Sequence, residues 1–224
     1  NARLMAKENI SIEMKKKEIE RLELEGKTVM VLAGNNSLKA IVAVADTIKD
    51  SALEGVALLK KMGIDVYMIT GDNERTARAV SKKLGIENVL AEVLPGEKEE
   101  EIKKLQDSGK MVAMVGDGVN DAPALAQAEV GIAMGSGTDV AIEAAGITLM
   151  NKDIRSVAGA IGLSKRTMRT IKQNLFWAFG YNIILIPVAM GALFPFFRIL
   201  ISPIFASVAM ALSSISVVSN SLLL

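Results

Sequence analysis

The sequence predicts an α/β domain built on a doubly wound parallel sheet, continued by a linking helix and two long apolar segments. Three observations carry that expectation. Between residues 45 and 150 short apolar runs alternate with stretches of helical period, the pattern of a parallel sheet covered by helices. One run, residues 111–115, leads straight into Gly116-Asp117-Gly118-Val119-Asn120-Asp121, placing two carboxylates and two glycines just behind a buried strand. From Gln173 to Leu224 the only charged side chain is Arg198, whereas acids and bases crowd the residues before it.

A length of 224 residues allows one or two domains, and a formal charge of +1 gives no sign of a nucleic-acid partner. Cysteine and histidine are both absent. That excludes a disulfide framework, a zinc knuckle, a thiol nucleophile and a histidine base within this chain.

In chain order, residues 12–24 form a charged helical segment that Gly26 ends, with its lysines and glutamates as a solvated face. Apolar runs at 29–33 and 40–44 flank Gly34-Asn35-Asn36-Ser37, a hairpin signal. Asp46 follows the run 41–45, so a nucleophile at a strand end is conceivable, but Thr47-Ile48-Lys49-Asp50 does not complete such a motif and a connector is favoured. Residues 51–62 have helical spacing and Gly63 supplies a stop. The strand 66–69 then enters Thr70-Gly71-Asp72-Asn73 ahead of a helix over 74–84. The Thr70 hydroxyl and the N–H groups from Gly71 onward can hold phosphate oxygens without adding charge, while Asp72 or Asn73 would equally serve as an N-cap. A strand at 89–93 precedes a charged helix over 95–105, in which Lys98 reads from spacing as one solvated lysine among several.

At the central motif, a strand ending in Gly-Asp-Gly delivers Asp117 to the carboxyl edge of the sheet, where such folds place ligands. The turn through Gly118 lets Asp121 fold back beside it. Two hard oxygen donors suggest Mg2+, which takes one or two carboxylates, several waters and a substrate phosphate. Asn120 reads locally as a turn-former. Strands at 130–134 and 147–150, separated by the loop Gly135-Ser136-Gly137, finish the domain.

The apolar segments 173–197 and 199–224 could each cross a hydrocarbon core about 30 Å thick at ~1.5 Å per residue. Lys165, Arg166, Arg169 and Lys172 crowd the entry to the first, which puts that side, and residues 1–172, in the cytoplasm and returns the C-terminus to it. Polar groups inside a span mark a pathway or a helix contact. Tyr181 and Asn182 lie in the first segment; Met210, Ser213 and Ser214 share one face of the second. On the residues alone, close helix packing explains them better than ligation does.

Gly116-Asp117-Gly118-Val119-Asn120-Asp121-Ala122-Pro123, with the run on through Ala124-Leu125-Ala126 and Val130-Gly131-Ile132-Ala133-Met134-Gly135, resembles the hinge motif of P-type ion-transporting ATPases. The resemblance implies a haloacid-dehalogenase-like phosphorylation domain over 45–152, preceded by the tail of a nucleotide-binding domain at 1–44. A stalk helix at 153–172 and transmembrane helices at 173–197 and 199–224 would follow. It further implies that Thr70, Gly71 and Asp72 contact the phosphoryl group, with Asp72 on the nucleotide side of the cleft. Lys98, in Leu94-Pro95-Gly96-Glu97-Lys98, is similar to the lysine that neutralises the phosphorylated aspartate, and Asn120 to an amide that orders the phosphate site. ATP and Mg2+ would be the cofactors. Gly146 departs from the pattern, where an acid is common.

Tyr181-Asn182 and Met210-Ala211-Leu212-Ser213-Ser214 resemble the last membrane helices of the copper(I)-transporting subgroup, in agreement with the affinity of thioethers for Cu(I). The lysine and aspartate expected in zinc and cadmium relatives are absent from these segments. The implied enzyme exports Cu(I) across the cell membrane through an aspartyl-phosphate. Its partners would be the bilayer, the remaining segments of the pump and a copper chaperone. No Asp-Lys-Thr-Gly sequence occurs here, so the phosphorylated aspartate would come from elsewhere and this chain alone should not turn over. The rivals are a membrane-anchored phosphatase using Asp46 and an inactive scaffold.

Overall fold

A computed structural model describes residues 2–45, 47–117, 119–135, 139–197 and 203–224. Asp46, Gly118, most of the loop after Gly135, and Arg198 lie outside the described residues. The chain divides into two compact units, Asn1–Ala158 and Gly159–Leu224.

The first unit opens with α1 (Ala2–Lys7), a 3-10 turn (Glu13–Lys15) and α2 (Lys16–Leu24). Only Ile19 and Glu23 of α2 are buried, so one stripe packs and the rest of the helix is solvated as its composition suggests. Gly26 at φ 84° turns the chain into β1 (Thr28–Gly34), which pairs antiparallel with β2 (Ser37–Val44). Asn35 and Asn36 both sit at positive φ, the left-handed pair that a two-residue hairpin needs.

Helix α3 (Asp50–Lys61) stops at Gly63, φ 76°. β3 (Tyr67–Ile69), α4 (Glu74–Leu84) and β4 (Asn88–Leu90) form a βαβ unit in which β3 and β4 run parallel. A 3-10 turn (Pro95–Glu97) leads into α5 (Lys98–Asp107), then come β5 (Ala113–Gly116), a 3-10 turn (Val119–Asp121) and α6 (Ala122–Gln127). β6 (Val130–Met134), α7 (Asp139–Ala144) and β7 (Ile147–Leu149) complete the alternation before α8 (Ile154–Ala189).

The parallel sheet is present in two pieces, β3-β4 and β5-β6-β7, rather than as the single continuous sheet expected. Among the described residues no strand pairs with the second edge of β3 or of β5. The pieces still share a core: Ile69 of β3 packs against a cluster of Ile102, Met114, Ala124, Leu125 and Ala128. Burial of each large apolar side chain there is worth about 1.5–3 kcal/mol. Helix α6 lies so close over β6 that a Cβ on Gly131 would fall 2.5 Å from the Leu125 carbonyl oxygen. On the far side Gly55 of α3 accommodates Ile154, and Arg155 reaches Glu54 at 2.8 Å.

The second unit contains the remainder of α8, then α9 (Phe194–Phe197) and α10 (Pro203–Ser221). The two transmembrane helices expected over 173–197 and 199–224 are not confirmed: among the described residues no helix is long and apolar enough to cross a membrane. Helix α8 carries Gln173, Asn174, Tyr181 and Asn182 within its apolar half and ends at Ala189, two residues after Pro187. A turn with Gly191 at φ 92° separates it from α9. Asn220 Nδ2 donates to Asn174 Oδ1 at 2.7 Å and Asn174 Nδ2 donates to Ser221 Oγ at 2.8 Å. This amide pair ties the end of α10 to the middle of α8, so the two helices run antiparallel.

Candidate active site

The carboxyl ends of β3 and β5, with the loop after β7, carry the site residues. After β3 the chain turns through Thr70-Gly71-Asp72. Asn73 caps α4, its Oδ1 accepting from the Thr76 N–H at 3.0 Å, and this releases Asp72 from the capping role that the sequence left open between them. Asp72 instead holds the turn: its N–H donates to Thr70 Oγ1 at 3.1 Å, and its carboxylate accepts from the Thr70 hydroxyl at 3.2 Å and from Thr28 of the hairpin at 3.3 Å.

Glu92, at φ 57°, ends β4 three residues before the expected boundary. Its N–H donates to the Asp72 carbonyl and that of Val93 to the Thr70 carbonyl. A left-handed residue thus trades three positions of strand for a backbone clamp on the Thr70-Gly71-Asp72 turn. Gly71 lies 3.4 Å, as measured from an added Cβ, from the Val93 carbonyl oxygen, an ordinary contact.

Lys98 starts α5, positioned by the preceding turn, where Glu97 Oε2 accepts from the Leu94 N–H at 3.1 Å. Its Nζ donates to Asp121 Oδ1 at 2.7 Å, with side chains only 19% and 13% exposed. Asp121 itself is folded back on the end of β5: a Cβ on Gly116 would lie 2.8 Å from both Asp121 Cβ and Oδ2. Glycine at 116 is therefore what allows Asp121 to pack against the end of β5, one residue before Asp117. Asp117 is half exposed and pairs with Lys152 Nζ at 2.7 Å. Asn120 stands exposed in the same 3-10 turn.

The structure thus brings Lys98 against Asp121, and Thr70 against Asp72, and seats Asp117 and Asp121 at one strand end. Two residues escaped sequence reasoning. Thr28 lies 44 positions from Asp72 and Lys152 lies 35 from Asp117; only the position of Lys152 just past the last parallel strand hinted at a site at that edge. Asp117 and Asp121 are the residue type that could hold a magnesium-sized cation keeping waters and taking up a phosphate, and the missing Cβ at Gly116 leaves the room that Asp121 occupies. Among the described residues no cluster of three or more His, Cys, Asp or Glu side chains forms a self-sufficient metal cage.

In α8, Asn182 Nδ2 donates to the Ala178 carbonyl at 3.0 Å and the Tyr181 ring lies 6.2 Å from that of Trp177. In α10, Ser214 Oγ donates to the Met210 carbonyl at 3.3 Å, with Met210 largely exposed and Ser213 half-buried.

The parallel α/β fold with acids at its carboxyl strand ends is matched by a known class of enzymes: the chain belongs to the haloacid dehalogenase-like hydrolase family, whose model matches residues 1–129. A second model of the same description matches residues 99–161. Within that family the likeness narrows to metal-transporting P-type ATPases. The chain is 57% identical over 206 residues to a probable copper-exporting P-type ATPase of Archaeoglobus fulgidus, covering 92% of this chain and 26% of that protein. It is 53% identical over 220 residues to copper-transporting ATPase 2 of Rhizobium meliloti, covering 98% of this chain and 27% of the relative. Among solved structures, a zinc-transporting PIB-type ATPase in the E2.Pi state matches with a TM-score of 0.76 at 34% identity, over 95% of this chain and 34% of that one. The chain spans about a quarter of the length of these curated relatives.

Proposed function

We propose that this chain is the magnesium-binding and phosphoryl-stabilising part of an ATP-driven Cu(I) export pump that works through an aspartyl-phosphate. The phosphorylated aspartate would be supplied by a segment of the pump outside these residues. The observation that carries the reading is Asp121, folded onto Gly116 beside Asp117 and paired with Lys98 at 2.7 Å. The edges of β3 and β5, which no strand among the described residues pairs, support it, because a strand placed between them would complete the sheet and end at the same acidic edge.

In this mechanism Asp117 and Asp121 hold Mg2+, which when bound offsets charge on the transferring phosphoryl group. Lys98, partly buried and anchored at the start of α5, presents a fixed positive charge to that group. The Thr70 hydroxyl and the Gly71 N–H offer uncharged hydrogen bonds, and Asn120 orders the turn between the two acids. Asp72, through Thr28, connects the turn to residues 1–44, the tail of the domain that would hold ATP. Such a site accelerates phosphoryl transfer by positioning and charge stabilisation.

Copper as cargo rests on the names of the 52–57% identical relatives and on soft-ligand chemistry. Tyr181 and Asn182 of α8, with Met210, Ser213 and Ser214 of α10, would contribute to the Cu(I) pathway, the thioether suiting that ion. Residues 173–197 and 199–224 would lie in the cell membrane as two helical segments, with residues 153–172 as a stalk and 1–172 in the cytoplasm. Large exposed apolar side chains on α8 and α10, among them Phe176, Ile183, Ile184 and Ile215, support burial in lipid. A copper chaperone is the partner to be sought on the cytoplasmic side.

The test is made in the complete pump. Asp117→Asn should lower Cu(I)-stimulated ATP hydrolysis by about a hundredfold or more, in line with removal of an electrostatic catalytic group, and Met210→Ala should weaken the dependence on Cu(I). Full Cu(I)-stimulated turnover in Asp117→Asn would overturn the assignment.

A further inference from the structure

We infer that Lys152 is a tethered counter-ion that occupies Asp117 when no divalent cation is present and is displaced when one binds, so that it sets the threshold for metal entry. The inference rests on the proposed reading of Asp117 and Asp121 as the magnesium ligands. Three observations lead to it.

First, each of the two acids has its own lysine. Asp121 pairs with Lys98 and Asp117 with Lys152, both at 2.7 Å, so the site is charge-balanced before any metal arrives. Second, the two pairs differ in exposure to solvent. The side chains of Lys98 and Asp121 are largely buried, whereas those of Lys152 and Asp117 are 55% and 54% exposed. An exposed lysine can be released to water at little cost, and a buried one cannot.

Third, the fold provides a track for the Lys152 stem. Gly135 ends β6 at φ 71°, and a Cβ there would lie 2.7 Å from Lys152 Cγ and 3.0 Å from Cε. The Gly135 N–H donates to the Leu149 carbonyl at 2.7 Å, which ties the ends of β6 and β7 together. Asn151 accepts from Ser156 Oγ at 2.8 Å and Asp153 from the Arg155 N–H at 2.9 Å. The residues on either side of Lys152 are thus anchored at the start of α8, and its ammonium can swing between Asp117 and solvent without moving the backbone. A divalent cation at Asp117 would face that ammonium at close range, so the like charges require it to leave.

The experiment is a Mn2+ titration of the full chain followed by electron paramagnetic resonance, with Mn2+ standing for Mg2+. Lys152→Met, which keeps the stem and removes the charge, should bind Mn2+ about two- to fivefold more tightly than the wild type, the range expected for losing an exposed ion pair. Lys152→Arg should bind as the wild type does, and Asp117→Asn should bind far more weakly. Unchanged or weaker binding in Lys152→Met overturns the inference while leaving the metal site in place. Equal Mn2+ binding by the wild type and Asp117→Asn overturns the site assignment and the inference with it.

Discussion

The ammonium of Lys98 lies 2.7 Å from Asp121 Oδ1 across 23 residues of sequence, and both side chains are largely shielded from water. Removing one member leaves the other as a shielded, uncompensated charge, so single and double substitutions should not add. Lys98→Met and Asp121→Asn should each destabilise the chain by about 1–3 kcal/mol, and the double variant by less than the sum. Chemical denaturation followed by far-ultraviolet circular dichroism checks this; Trp177 fluorescence would not, because the one tryptophan lies in the second unit. Strictly additive losses would mean that the pair has no coupling.

Gly131 and Gly159 should respond oppositely to alanine. A methyl group at Gly131 would meet the Leu125 carbonyl oxygen at 2.5 Å, and forcing α6 away from β6 should cost about 1–3 kcal/mol. At Gly159, in α8, nothing lies within 4 Å of an added Cβ, so Gly159→Ala should be neutral or stabilise by up to about 1 kcal/mol through helix propensity. Denaturation midpoints of the two variants settle the comparison.

Acid should loosen the first unit through Glu129. Its carboxylate accepts from the Val112 N–H at 2.7 Å and from Gln106 at 2.8 Å, and the backbone hydrogen bond holds its pKa below the ordinary value of 4.5. A carboxyl depressed in the folded state stabilises above its unfolded pKa and loses that contribution as pH falls through the folded value. The stability gap between the wild type and Glu129→Gln should therefore be widest near neutrality and close below pH 4.5. Denaturation midpoints across the acid range measure it; a gap that widens toward low pH would contradict the sign.

Asn220→Leu should weaken the pairing of α8 and α10. The substitution removes the 2.7 Å hydrogen bond to Asn174, and polar contacts between helices in an apolar medium are worth about 0.6–2 kcal/mol. Trp177 lies one turn beyond Asn174, so its emission in detergent reports the change during thermal melting. An unchanged melting midpoint would assign the helix pairing to apolar packing alone.

Much of the element order was legible because each signal was local. The helix at 74–84 and the strand at 130–134 appear at their expected bounds, and the Asn35-Asn36 turn closes the expected hairpin. Where the reading departed, the cause lay further away. The strand at 89–93 is shortened because Glu92 and Val93 give their N–H groups to the turn after β3, a partner some 20 residues back in sequence. The expectation of one continuous sheet assumed that all parallel strands were neighbours, whereas β3-β4 and β5-β6-β7 pair separately. The apolar segments had the length of spans on composition, yet Pro187 and the Gly191 turn divide the first into helices of unequal size.

From the sequence by itself came the candidate site residues and their order: the acids at 117 and 121, the Thr-Gly-Asp turn at 70, the lysine at 98, and an apolar region almost without charge. Such features depend on residue type and near-neighbour spacing, which a linear reading captures. Only the tertiary structure decided which charge answers which, giving Lys98 to Asp121 and Lys152 to Asp117. Those pairings depend on where parallel strands end in space, and on the room that Gly116 and Gly135 leave by lacking a side chain.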